Sequence, residues 1–188
     1  MGEYGKSLKH YQRANSLLDA EGDTFGTAYS FCGIANAHRM EGRFEEALEY
    51  FSQATGLYRE IGDRVSYAYT LWGEGTALKV MGRLAEAKER FLSAHDLFSA
   101  TGDIRGMIYT LLSLGEIDLL EGRKEKMRKA LKETEEILSR YPFRLERCHL
   151  LLYRSLLGEE DIERAIDAYR RQGSRFPSKK PSFPLNLP

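Results

Sequence analysis

The residues best suited to chemistry in this sequence are four histidines, two cysteines and a few paired carboxylates. His10, His38, His95 and His149 share no common register, and none belongs to an HExxH pair. Cys32 and Cys148 lie far apart and form no CxxC, which argues against a disulfide framework or a cysteine-based zinc site. Cys148-His149 sets a thiol beside an imidazole. Catalysis there would need an orienting third group, and a metal would need further ligands. Glu45 and Glu46 fall in the first turn of an expected helix, where they favour the macrodipole more than acid–base work. His38 lies on an apolar face and reads as a satisfied core residue. No glycine-rich phosphate loop follows a strand, because no strand is expected. The basic run "GRKEKMRK" opens an amphipathic stretch and reads as its solvated face. No catalytic centre, metal site or cofactor is predicted.

Whatever function the chain has must therefore come from surfaces, and surfaces are set by the elements beneath them. The 188 residues suffice for one sizeable domain, and 28 basic side chains balance 28 acidic ones. That balance gives no general pull toward nucleic acid or membrane. Residues 1–122 carry 12 basic and 18 acidic side chains, and residues 123–188 carry 16 and 10. This asymmetry either orients a charged partner or carries no functional meaning. No apolar run reaches membrane-spanning length, and the N-terminus has no secretory pattern. Lys6 stands where a myristoylation signal has Ser or Thr. A soluble, reducing, cytoplasmic setting is the expectation.

The organisation is a repeat of 40 residues. Gly22-Asp23, Gly62-Asp63 and Gly102-Asp103 recur at that period, as do Gly2, Gly42, Gly82 and Gly122. Tyr29, Tyr69 and Tyr109 share a column. So do Ala14, Ala54 and Ala94, and Tyr11, Phe51 and Phe91. Each period holds two helical patterns. Phe44, Ala47, Leu48, Phe51, Ala54, Leu57, Tyr58 and Ile61 make one apolar stripe, and Ala28, Phe31, Ile34, Ala35 and His38 make the other. Gly62 suits the left-handed residue that ends a helix, and the Asp after it suits an N-cap. The unit is a helical hairpin. Interior glycines Gly33, Gly73, Gly75 and Gly115 each cost roughly 1 kcal/mol against Ala. They imply a close approach of helices or a groove that must stay open.

These residues resemble the tetratricopeptide repeat family. Ala35, Gly75 and Gly115 meet its small residue in the first helix, and Gly42, Gly82 and Gly122 its mid-repeat glycine. Ala47 and Ala87, Phe51 and Phe91, and Ala54 and Ala94 meet its second-helix pattern. The period and the Gly-Asp junction resemble the longer, 40-residue variety. The resemblance implies an all-α fold, a right-handed α-solenoid of antiparallel helix hairpins. It divides the chain into a half repeat over 1–22, repeats over 23–62, 63–102 and 103–141, and a degenerate terminal repeat over 142–173. The third repeat departs from the pattern at Met127, Leu131 and Thr134, and Tyr141-Pro142 replaces the next Gly-Asp junction. Residues 174–188 form a Pro-rich tail that either caps the last helix or is a disordered linker.

The resemblance also implies a concave groove lined by the first helices. Its inward columns are Tyr29, Tyr69 and Tyr109; Cys32, Trp72 and Leu112; Gly33, Gly73 and Ser113; Asn36, Thr76 and Glu116; and Arg39, Lys79 and Leu119. The expected peptide-binding set is Tyr29, Asn36, Arg39, Tyr69, Trp72, Thr76, Lys79, Tyr109, Leu112 and Glu116. Tyr and Trp carry much contact energy at such surfaces. Asn36 alone matches the family's carboxylate clamp, so a chaperone-terminus reader is not implied. Arg43, Arg83 and Arg123 form a separate ladder beside the turn glycines. The chain is expected to be a non-enzymatic scaffold for a protein or peptide partner. The half repeat at its start, with Tyr4, Leu8, Tyr11, Leu17 and Leu18 flanked on one side only, opens a second reading. There the chain self-assembles as a homo-oligomer, or serves as a sensor module of a larger regulatory protein.

Overall fold

A computed structural model describes residues 2–171, and the expected tail over 174–188 lies outside the described residues. Among the described residues there are nine helices and no strand: α1 (Gly2–Ala20), α2 (Thr24–Met40), α3 (Phe44–Ile61), α4 (Arg64–Val80), α5 (Leu84–Thr101), α6 (Ile104–Leu120), α7 (Lys124–Arg140), α8 (Arg144–Leu156) and α9 (Ile162–Arg171).

Local chemistry sets the helix ends. Gly62 takes φ 75° and Gly82 φ 78°, a left-handed conformation in which a side chain would be strained. The aspartates that follow the hairpin junctions act as N-caps. Asp23 accepts from the Gly26 N–H at 2.9 Å, Asp63 from Val65 and Ser66 at 3.1 and 3.0 Å, and Asp103 from Gly106 at 2.8 Å. Where Tyr141 replaces this junction, α7 ends instead on extended backbone, and the Tyr141 ring stacks on Phe143.

The chain divides into two compact units, Met1–Thr110 and Leu111–Pro188, with the boundary inside α6. In the first, each helix packs on the next from α1 to α5. Its core is made of the column residues: Ala54, Ala94, Phe91 and Phe98 have no accessible surface, and Phe51 is 1% exposed. In α1 the matching Tyr11 and Ala14 are only half-buried, because α2 covers one side alone. In the second unit, α8 packs on α7 and α9. Met127, Leu131, Leu138, Cys148 and Ala165 form its buried interior.

The interior glycines have a more specific cause than backbone crossing. A Cβ on Gly73 would lie 2.7 Å from the Phe51 ring, and one on Gly75 2.6 Å from the Phe91 ring. Gly33 receives the Tyr11 ring in the same way, and Gly115 the Met127 sulfur. The expectation that these glycines widen a groove is thus corrected. They are hollows filled by rings and a thioether from the second helices. Gly73 is buried, and so is Ser113 in its column.

Candidate functional site

The first helices α2 and α4 each turn a stripe outward. On α2 it runs through Phe25, Tyr29, Asn36 and Met40, all exposed. On α4 the equivalent positions are Val65, Tyr69, Trp72, Thr76 and Val80, exposed at the two ends and half-buried between. Spacings of three, four and seven residues place each set on one side of its helix. Neither stripe contains a carboxylate. Phe25, Met40, Val65 and Val80 escaped the sequence reading, which took apolar periodicity as a sign of burial alone. The 40-residue pairing of Met40 with Val80 was the available signal.

The three column tyrosines have different surroundings. Tyr29 is 59% exposed. Tyr69 packs edge-on against Phe98 at 4.7 Å, and burial, with Asp103 nearby, pushes its phenol well up. Tyr109 stacks on Trp72 with centroids 5.2 Å apart and planes 24° apart. Trp72 is half-buried, so one part of the indole supports the core and the rest reaches the surface.

The polar members of the expected set are held from within. The Asn36 amide donates to the Cys32 carbonyl at 2.9 Å, and its oxygen accepts from Arg39 Nη2 at 3.1 Å. Arg39 is half-buried, its Nε has no partner, and burial lowers its pKa. Thr76 donates to the Trp72 carbonyl at 2.9 Å. Lys79 is half-buried.

The last two expected residues belong to the second unit and are described there. Leu112 is 3% exposed, so it is a core residue that presents no surface, and Leu119, at 4%, is another. Here the aliphatic side chain found enough neighbours to be covered, unlike Trp72 in the same column. Glu116 accepts from the Tyr153 hydroxyl at 2.8 Å.

The reactive side chains do not converge. Cys32 lies 3.2 Å from the Thr70 hydroxyl, and burial pushes its thiol up, away from the thiolate. Cys148 is buried and its thiol is also raised by burial. Burial lowers the adjacent His149, whose ring lies 5.7 Å from that of Tyr169. His38 corrects the expectation of a satisfied core histidine: it is 6% exposed, yet neither ring nitrogen has a hydrogen-bond partner. Its neighbour is the face of Tyr50, stacked at 5.3 Å, which offers a π surface and no acceptor. The arginine ladder is neutralised locally: Arg43 pairs with Glu41, Arg83 with Glu86, and Arg123 with Asp118 and Glu121. Among the described residues no group of three or more His, Cys, Asp or Glu could hold a metal. Among them, too, no helix is long and apolar enough to cross a membrane.

Comparison with known proteins agrees with the helical-repeat reading. The tetratricopeptide repeat family model matches residues 1–60. No curated protein matches the chain. Solved structures share its fold at low identity. A putative kinesin light chain with nearly identical TPR-like repeats from Podosopora anserina is 13% identical, with 93% of this chain and 90% of that one covered at a TM-score of 0.60. BtubC (BKLC) from P. vanneervenii is 13% identical over 98% and 95%, with a TM-score of 0.57. MamA is 16% identical over 92% of each chain, with a TM-score of 0.52. The fold is therefore the all-α, TPR-like helical repeat.

Proposed function

We propose that the chain is a non-catalytic interaction scaffold of the 40-residue Gly-Asp-junction variety, which holds a peptide or protein segment against the outward stripes of α2 and α4. The carrying observation is the half-buried Trp72, stacked on Tyr109 and flanked by exposed apolar residues. Rings braced from behind lose little conformational freedom when a partner covers them. Tyr29, Asn36, Arg39, Thr76 and Lys79 would surround the contact. A reducing, cytoplasmic setting goes with this reading, in which both cysteines stay free.

The test is a pull-down comparing wild type with a Tyr29→Ala, Trp72→Ala variant, alongside circular dichroism. Tyr69 is left intact because it packs on Phe98. Loss of a partner at unchanged helicity supports the site. An identical partner set in the two samples removes it.

A specific observation favours a second reading, self-assembly through α1. Leu17 is 60% exposed and Tyr4 44% exposed, while no described side chain of that helix is buried. These apolar side chains, on different sides of the helix, are open to a second copy of the chain. Light scattering of wild type and Leu17→Lys decides it: a concentration-dependent dimer lost in the variant supports assembly, and a monomer throughout rejects it.

A further inference from the structure

One core column changes character in the middle repeat. Positions 34, 74 and 114 are Ile34, Glu74 and Leu114. Ile34 is 2% exposed, and Glu74, at 8%, is nearly as deep. Its Oε1 accepts from the Thr55 hydroxyl at 3.0 Å, and its Oε2 lies 2.8 Å from Arg90 Nε. The columns of its partners vary from repeat to repeat. The column of Arg90 holds Tyr50 and Ala130, and that of Thr55 holds Asn15 and His95. A buried carboxylate, even when paired, is commonly no more stabilising than the aliphatic residue that could replace it. Stability alone is thus a poor reason for a carboxylate at this depth in an otherwise aliphatic column.

Over this pair opens a cleft of about 340 Å³ between α3 and α5, floored by α4. Tyr67 and Arg59 stand toward one end, and Leu48, Leu78, Arg83 and Glu86 toward the other. From Tyr67 to Leu78 the floor is roughly 16 Å long. Tyr67, Leu71, Glu74 and Leu78 fall within an arc of about 60° on α4, and Tyr69, Trp72 and Thr76 centre about 160° away. The cleft is thus on the side of α4 opposite the aromatic stripe, and nothing about it depends on the proposed groove.

The charges are arranged for an incoming anion. Both carboxylates of the cleft are already engaged, Glu74 by Arg90 and Glu86 by Arg83 through two hydrogen bonds of 2.7 and 2.5 Å. Three guanidinium groups line the same space. Arg90 keeps 46% of its side chain accessible although its Nε is committed to Glu74. Arg59 is exposed at the rim. Leu48, Leu71 and Leu78 supply an apolar wall.

We propose that this cleft binds a carboxylate carried on an apolar stem. The terminal nitrogens of Arg90, oriented by Glu74, meet the carboxylate together with Arg59, and the leucine wall takes the stem. A planar guanidinium fixed through Nε is suited to paired hydrogen bonds with a carboxylate. Two sources share this chemistry: a free aliphatic acid, or the C-terminal carboxylate of a peptide ending in an apolar residue.

The experiment follows the methyl resonances of Leu48, Leu71 and Leu78 while the full chain is titrated with hexanoate, hexanamide, acetyl-Gly-Gly-Leu and its C-terminal amide. Saturable shifts with hexanoate and none with hexanamide support the free acid. Tighter binding of the free-terminus peptide than of hexanoate, with its amide inert, supports the peptide terminus. Arg59→Gln, at an exposed position, and Arg90→Lys, which keeps a cation beside Glu74, should each weaken binding at least about tenfold. No saturable shift with either acid overturns the proposal. So does equal binding of the amides, or wild-type affinity in both variants. Loss of the α2–α4 partner with this titration intact, or the reverse, separates the two sites.

Discussion

His38 shows how a single residue can set a pH response. Burial, with the nearby charge of Arg43, holds its imidazole below the ordinary 6.5, while Glu46 and Glu41 pull weakly the other way. The unfolded chain therefore binds a proton in a range where the folded chain does not, and stability must fall as pH drops through the ordinary value toward the depressed one. Urea unfolding at pH 7.5 and 5.5 checks this: wild type should lose more stability on acidification than His38→Phe. Parallel losses would show that the ring is accessible to protons in the fold. Thr134 offers a second test. It has no accessible surface, and its hydroxyl has no partner, in a column where the earlier repeats place Ala54 and Ala94. Thr134→Val keeps the shape and removes the stranded hydroxyl, so it should raise stability by about 1 kcal/mol in thermal or urea unfolding. That such a column would be buried was legible in the sequence. That His38, on a different apolar column, would lack partners was not, because the answer lay in Tyr50, the residue stacked upon it.

At the scale of the element, glycine has opposite meanings in neighbouring helices. Gly75 in α4 faces the Phe91 ring, whereas Gly56 in α3 has nothing within 4 Å of the position a Cβ would take. Gly56→Ala should therefore stabilise the protein by about 0.5–1 kcal/mol through backbone entropy and helix propensity. Gly75→Ala should lose about 1–3 kcal/mol, since the displaced ring outweighs the same gain. Paired denaturation curves check both, and equal effects would refute the ring contact. The helix ends were readable because each junction carries its own chemistry within two residues, a glycine that can turn left and an aspartate that can cap. The ring contacts were not, since Gly73 and Phe51 stand in different periods and only folding brings them together. Tyr29 and Tyr69 teach the same lesson. One column letter gave an exposed ring on α2 and a packed one on α4, because Tyr58 is engaged edge-on with Phe25 while Phe98 meets Tyr69.

For the whole molecule, stability should follow the number of neighbours each helix has. Repeat arrays are stabilised mainly by nearest-neighbour contacts, and their ends open first. Helices α3 and α5 bury four large or column residues each, while the described side chains of α1 are all partly exposed. Amide hydrogen exchange should accordingly be slowest in α3 to α5 and fast along α1. Uniform protection through α1 would indicate that something covers it. The 40-residue period made the helical architecture visible from the sequence. The division of the chain inside α6 was not visible, because it follows from how densely segments pack and not from any letter in the repeat.

The glycine hollows also bear on how such a chain could be recombined. Phe51 belongs to one period and Gly73 receives it in the next, as Gly33 receives Tyr11, so the Gly22-Asp23 and Gly62-Asp63 junctions each divide a ring from its seat. A chimera cut at those junctions would mismatch plug and socket unless both parents kept the same pair. A crossover placed at the mid-repeat turn between Gly33 and Arg43 would carry each of those plugs together with the seat that follows it, whereas one between Gly75 and Arg83 would part Gly75 from the Phe91 ring.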